Sequence, residues 1–259
     1  MSPTIARQMI GAEILKLRRN RGVMAFALVL SVGVLVILYG VTVVQHASNP
    51  HKYGPAGGID GFKHGVTSLA LFFGMLAAIL LGSEAGTADL SSGVFRDLVA
   101  TGRSRLALFA VRAPAAILVT LAFSAAGFAL AVIAAFVFPG GSPTPTLTMI
   151  LQSAGWIVVA NTLLVGFAVG VGSLTGSRAM TLTAVIGWQV VATSVLLNIS
   201  SLGSARDGLL TAALGQLTPF AGEIQGGVRM STAVAVAVLF AWALVPITVG
   251  AWRTRTVDA

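Results

Sequence analysis

The sequence predicts an all-α integral membrane protein in which a single domain, residues 1–259, crosses the bilayer six times. An N-terminal amphipathic interfacial helix, a short cytosolic helix between spans two and three, and a re-entrant helical hairpin before span six complete the expected fold. Three observations carry this reading. Hydrophobic residues make up 56% of the chain and charged residues only 9%, too few charges to clothe a water-soluble body of this size. The charges are also clustered: His64 to Ser83 and Ala113 to Ser177 contain no Asp, Glu, Lys or Arg. Finally, Lys and Arg collect on alternate loops, as expected of a chain oriented by the positive-inside rule.

Taken in order, Thr4 to Asn20 places Ile10, Ile14 and Leu17 on one side of a helix and Arg7, Lys16, Arg18 and Arg19 elsewhere, the pattern of a segment lying along a membrane surface. Residues 22–44 form the first span, longer than the roughly 20 residues a bilayer core requires. A cleaved signal peptide would end in a small-residue site, and VVQHASN offers none, so an uncleaved span is expected. A polar Gly- and Pro-containing loop follows, then a second span over residues 65–83. The 65 residues from Ala113 to Ser177 are too many for one crossing, and PGGSPTP at Pro139 to Pro145 divides them into spans 113–138 and 147–174. A tight turn at Thr175 to Arg178 leads into span five, 179–199. Span six, 230–252, carries Pro246 as an expected kink. Between the last two, Gly208 to Gly222 is too short to cross and is broken by Pro219. Leu209, Leu210, Leu214, Leu217 and Phe220 suit a re-entrant or interfacial hairpin, with an ordinary extracytoplasmic loop as the alternative.

With both termini inside, twelve of the sixteen Lys and Arg fall on the cytosolic side, which leaves Lys52, Lys63, Arg206 and Arg229 outside. This bias accounts for much of the +8 net charge without nucleic acid as a partner. Thirteen Arg against three Lys, amid much Ala, Gly and Val, hints at a GC-rich bacterial genome and so at a bacterial plasma membrane.

The interior stretch in which charge returns most often is Gly82 to Arg112. Leu90, Val94 and Leu98 recur four apart beside Phe95, which marks a short amphipathic helix. Gly102 ends it, and Ser104 caps the next. The acid, glycine and arginine spacing Asp89-x-x-x-Gly93-Val94-x-Arg96-x-Leu98-x-x-x-Gly102-x-Ser104-Arg105 resembles the cytosolic loop of permease subunits of type-2 ATP-binding-cassette (ABC-2 type) exporters, with Val94 where Thr is commoner. The resemblance in this loop and in the order of spans implies that the helix is a coupling helix seated in a groove of a separate ATPase. It also implies that the chain pairs with a second permease chain, as homo- or heterodimer, and that two ATPase subunits drive the transport. On that resemblance Leu90, Val94, Phe95 and Leu98 would fill the groove, and Asp89, Gly93, Arg96, Asp97, Arg103 and Arg105 would complete the contact. Glu84 is either a further contact to the ATPase or an interfacial carboxylate near Arg103 or Arg105.

The chain itself lacks the means to hydrolyse ATP. A phosphate-binding loop needs Gly-Lys before Ser or Thr, and the three lysines are preceded by Leu15, His51 and Phe62. ATP and Mg would therefore belong to the partner, and the chain is expected not to be an enzyme. No zinc-type or serine-hydrolase motif is present, and every Asp and Glu falls in an expected loop or at a span edge, which disfavours a proton-driven carrier. Polar residues within the spans, Asn161, Thr162, Gln189, Thr193, Ser194 and Asn198, read as helix-to-helix hydrogen bonds. Span five lines the pathway in the family, so Gln189, Thr193 and Asn198 are the candidates if a substrate path exists. Gly166 with Gly170, and Gly172 with Gly176, have the small-residue spacing of close helix contacts and are read as packing within one subunit. His46, His51 and His64 share the first outer loop and are read as solvated rather than as a metal site. The alternative to an exporter is a membrane scaffold or anchor whose cytosolic loop docks a partner.

Overall fold

The computed structural model describes residues 2–100, 102, 104–220, 228 and 230–256, and gives the backbone alone for Phe95 and Arg96. Among them every regular element is helical. Six helices are long and apolar enough to cross a membrane: Arg21–Ser48, Gly58–Ser91, Arg105–Val137, Leu147–Thr175, Arg178–Asn198 and Thr232–Thr256. They alternate in direction, so the starts of spans one, three and five and the ends of spans two, four and six share one end of the bundle, here the charged end.

Local chemistry sets most boundaries. The N-terminal helix Pro3–Arg19 starts at Ser2, whose hydroxyl accepts from the Ile5 amide, with Pro3 in the first turn where its missing N–H costs nothing. Asn20 closes that helix and opens span one, its side chain accepting from the Val23 amide at 3.4 Å. Span four ends at Gly176 in the left-handed region (φ 65°), and Ser177 caps span five on the Met180 amide. Gly140 and Gly141 take positive φ in the turn that separates spans three and four.

Span two is the main departure. Expected over 65–83, it begins at Gly58 and runs to Ser91, so Glu84, Asp89 and Leu90 lie in its final turns and not in a loop. The chain breaks only at Gly93 (φ 72°), and the short helix is Val94–Ala100, without Leu90. The helix continues through its acids because partners elsewhere in the bundle neutralise them.

Spans two and four are the inner helices, with 72% and 67% of their most apolar windows buried, against 33% or less in the other four. Glycine makes this packing close. A Cβ at Gly82 would meet the Val165 carbonyl at 2.8 Å, and one at Gly172 would meet the Gly86 Cα at 3.2 Å, so spans two and four touch backbone to backbone. On the other flank of span four, Gly166 faces Ile247 and Gly170 lies against the backbone of Pro246. The expected small-residue contacts thus lie within this subunit, except that Gly176 serves as a helix cap. Span six is continuous as a helix with Pro246 buried inside it.

Spans one, two and five each contain a π-helical turn, at Val29–Gly33, Ser68–Phe72 and Gly187–Ala192. Such turns free backbone groups and bend a helix. In span two, Phe72 departs from helical geometry (φ −126°, ψ −96°).

Before span six, a 3-10 stretch at Ser200–Gly208 is kinked at Gly203 (φ 52°) and leads into the helix Leu210–Gln216. Leu209, Leu210, Leu214 and Phe220 are buried, and Leu217 is half-buried. Trp156 Nε1 donates to the Leu214 carbonyl at 2.9 Å, and Trp242 Nε1 donates to the Gly208 carbonyl at 2.8 Å. One helical arm is therefore packed on spans four and six; of the expected hairpin, Gly208 to Gly222, the described residues after Gln216 add no second helical arm, and Ala221 and Gly222 lie outside the described residues.

Candidate functional site

The charged end concentrates what chemistry the chain carries. Glu13 and Lys16 sit one turn apart on the N-terminal helix, and Lys16 Nζ lies 2.6 Å from Glu13 Oε1 and 2.7 Å from Asp89 Oδ1 at the end of span two. The second oxygen of Asp89 accepts from Arg112 Nη2 at 3.3 Å. Arg112 is fully buried, and its Nη1 also reaches the Gly86 carbonyl at 3.5 Å. One turn back on span two, Glu84 accepts from Asn20 Nδ2 at 2.8 Å and pairs with Arg178, at the start of span five, at 3.1 Å. Two carboxylates of one helix thus fasten the N-terminal helix and spans three and five.

Burial of this kind is costly without partners, and the geometry supplies them. Burial alone would lower the pKa of Lys16; the hydrogen bonds and charges of Asp89 and Glu13 outweigh it, and the pKa is raised above 10.5.

Beyond Asp89 the backbone of Ser92 and Gly93 hands over to Val94–Ala100. Val94 and Asp97 are exposed and Leu98 is half-buried. The side chains of Phe95 and Arg96, and Arg103 altogether, lie outside the described residues. Ser104 caps the next helix by accepting from the Ala107 amide at 3.2 Å, and Arg105 donates to the Arg255 carbonyl at 3.4 Å, which ties the start of span three to the end of span six.

The coupling residues inferred from the sequence therefore divide. Glu84 and Asp89 point into the bundle, whereas Val94 and Asp97 stand on an exposed helix. Glu84 meets Asn20 and Arg178 rather than Arg105. Sequence reasoning did not single out Glu13, Asn20, Arg112 or Arg178 as partners. The usable signal was the acids themselves: a carboxylate at the end of a buried apolar helix requires a cation nearby.

Within the spans, Gln189 is buried and donates to Thr211 Oγ1 at 3.0 Å, and Thr193 Oγ1 donates to the Trp188 carbonyl at 2.9 Å, within the π-helical turn. Asn198 is exposed and donates to the Ser194 carbonyl at 2.8 Å. Asn161 donates to Ser124 Oγ at 2.9 Å, joining spans three and four. His46 Nδ1 donates to the Tyr53 carbonyl at 2.7 Å, while His64 lines a cavity of about 280 Å³ between spans one and two with Tyr39 and Ser68. Among the described residues no three His, Cys, Asp or Glu side chains gather as metal ligands would.

Compared with known protein families and with curated proteins, the chain matches none of either.

Proposed function

We propose that this chain is the membrane-spanning permease subunit of an ATP-driven exporter of the ABC-2 type, in a bacterial plasma membrane with both termini in the cytoplasm. It would form the substrate path with a second permease chain, and take its energy from two separate ATPase subunits that hold ATP and Mg. The chain itself is no enzyme on this reading. One observation carries it: the exposed helix Val94–Ala100 hangs between spans two and three, directly beyond an aspartate locked into the bundle. A push on that helix from the cytosol would reach Asp89 across Ser92 and Gly93. From there the Lys16 and Arg112 pairs would carry it to the N-terminal helix and span three, and the Glu84 pair would carry it to span five. The π-helical turns in spans one, two and five are the places where those helices would yield. Gln189 and Thr193, at the π-helical turn of span five, and Asn198 at its end remain the candidates for the path.

The test is the double variant Phe95→Ala/Arg96→Ala, co-reconstituted with the ATPase that copurifies with the wild-type chain from its native membrane. Its expected phenotype is hydrolysis without transport in a chain that inserts normally. Transport at the wild-type rate by the double variant would remove the assignment.

A further inference from the structure

At the turn between the N-terminal helix and span one, the side chains sort by charge balance. Leu17 and Val23 are buried on either side of Asn20, and Glu13 and Lys16 turn inward to Asp89. The inward groups are balanced: the carboxylates Glu13, Glu84 and Asp89 face the cations Lys16, Arg112 and Arg178. Arg18, Arg19 and Arg21 are left over. All three are exposed, and none makes an ion pair or side-chain hydrogen bond with the described residues. Together with Ala12, Leu15 and Lys16 they line a groove of about 730 Å³.

The position of the groove limits what can fill it. Arg21 is the first residue of a 28-residue apolar span, so the guanidinium groups stand at the level where hydrocarbon gives way to headgroups. Leu15, 59% exposed, gives the groove an apolar wall, and Phe26 and Val29, 57% and 50% exposed, continue an apolar surface down span one. An occupant must therefore be anionic at one end and apolar at the other. An acidic protein segment from the cytosol would satisfy the arginines but would gain nothing from the apolar surface below them.

We propose that Arg18, Arg19 and Arg21 form a binding site for the phosphate headgroup of an anionic glycerophospholipid, whose acyl chains lie along Leu15 and the exposed face of span one. Guanidinium groups suit phosphate oxygens through paired donors. The bound lipid would set the seat of the N-terminal helix, and through Lys16 and Asp89 the seat of the end of span two. The inference holds whether or not the chain works with an ATPase.

The probe is phosphatidylglycerol. The purified chain is reconstituted in mixed phosphatidylglycerol and phosphatidylcholine bilayers, taken into detergent, and the retained lipid is quantified by mass spectrometry. Wild type should retain phosphatidylglycerol in preference to phosphatidylcholine, and soluble glycerol phosphate should not displace it. Each basic group near an anionic surface contributes about 1 kcal/mol, so Arg18→Gln/Arg19→Gln/Arg21→Gln should lower that preference tenfold or more. The triple Lys variant should keep most of it. Single Gln variants, each lowering it about two- to fivefold, decide the matter if the triple variant does not fold. No preference in wild type, or an unchanged preference in the Gln variants, would overturn the site.

Discussion

The two ends of the bundle are fastened by different chemistry. At the charged end, helices are joined by ion pairs: Asp89 to Lys16 and Arg112, and Glu84 to Arg178. At the opposite end they are joined through backbone carbonyls. Tyr39 of span one donates to the Gly61 carbonyl at 2.9 Å, and the Gly57 and Ile59 amides donate to the carbonyls of Phe138 and Pro143 at 2.9 and 2.8 Å. Two tryptophans hold the helix Leu210–Gln216 and the turn before it in the same way. A neutral hydrogen bond to a carbonyl loses little when broken if water can replace it, whereas a half-broken buried ion pair strands a charge. Separating a pair at the charged end therefore costs more than breaking a hydrogen bond at the opposite end.

The comparison is broken most directly at Asp89. Asp89→Ala leaves Lys16 with one partner and removes the carboxylate from a fully buried Arg112, and should destabilise the fold by about 3 to 5 kcal/mol, read as heat-induced loss of helicity in detergent. Tyr39→Phe, its counterpart at the far end, deletes one hydrogen bond to a carbonyl and should cost about 1 kcal/mol. Equal losses from the two variants would erase the distinction between the ends. The smallest effect comes from pH. Because the folded pKa of Lys16 lies above its ordinary 10.5, its contribution is fully present below that value and is lost as pH rises through the folded pKa. Titration toward alkaline pH should therefore weaken wild type more than Lys16→Met, which has no ammonium to lose.

How much of this was visible in the sequence depends on the range of the interaction. Features fixed by nearby residues were legible: the cap at Ser104, the helix end at Gly102 and the break at PGGSPTP all stand where local chemistry puts them, whereas Gly176 was read as a helix contact and is a cap. Span number followed from composition and length. What was not legible was long-range compensation. Glu84 and Asp89 read as residues of the charged loop or its edge, with Arg103 and Arg105 as the nearby cations for Glu84, yet the partner Lys16 is 73 positions from Asp89, and Arg178 comes from a different span altogether. The same holds for the site: Val94 and Leu98 of the expected spacing lie on the short helix but Leu90 belongs to span two, and the attachment of the helix to the bundle depended on residues that no local pattern joins. The π-helical turns carried no signal either, since Val29–Gly33 and Ser68–Phe72 contain neither proline nor a charge.

The glycine seams of span four bear on how such a molecule can move. With Gly82 and Gly86 against one side and Pro246 and Gly250 against the other, three helices approach backbone to backbone at these glycines, while Ile247 and the Phe167–Trp242 ring pair fill the contact of spans four and six elsewhere. Sliding span four past either neighbour by a fraction of a turn would drive a methyl or a carbonyl into main chain. The close approach at these glycines therefore resists sliding between spans two, four and six more than between the outer helices, which are free of that seam.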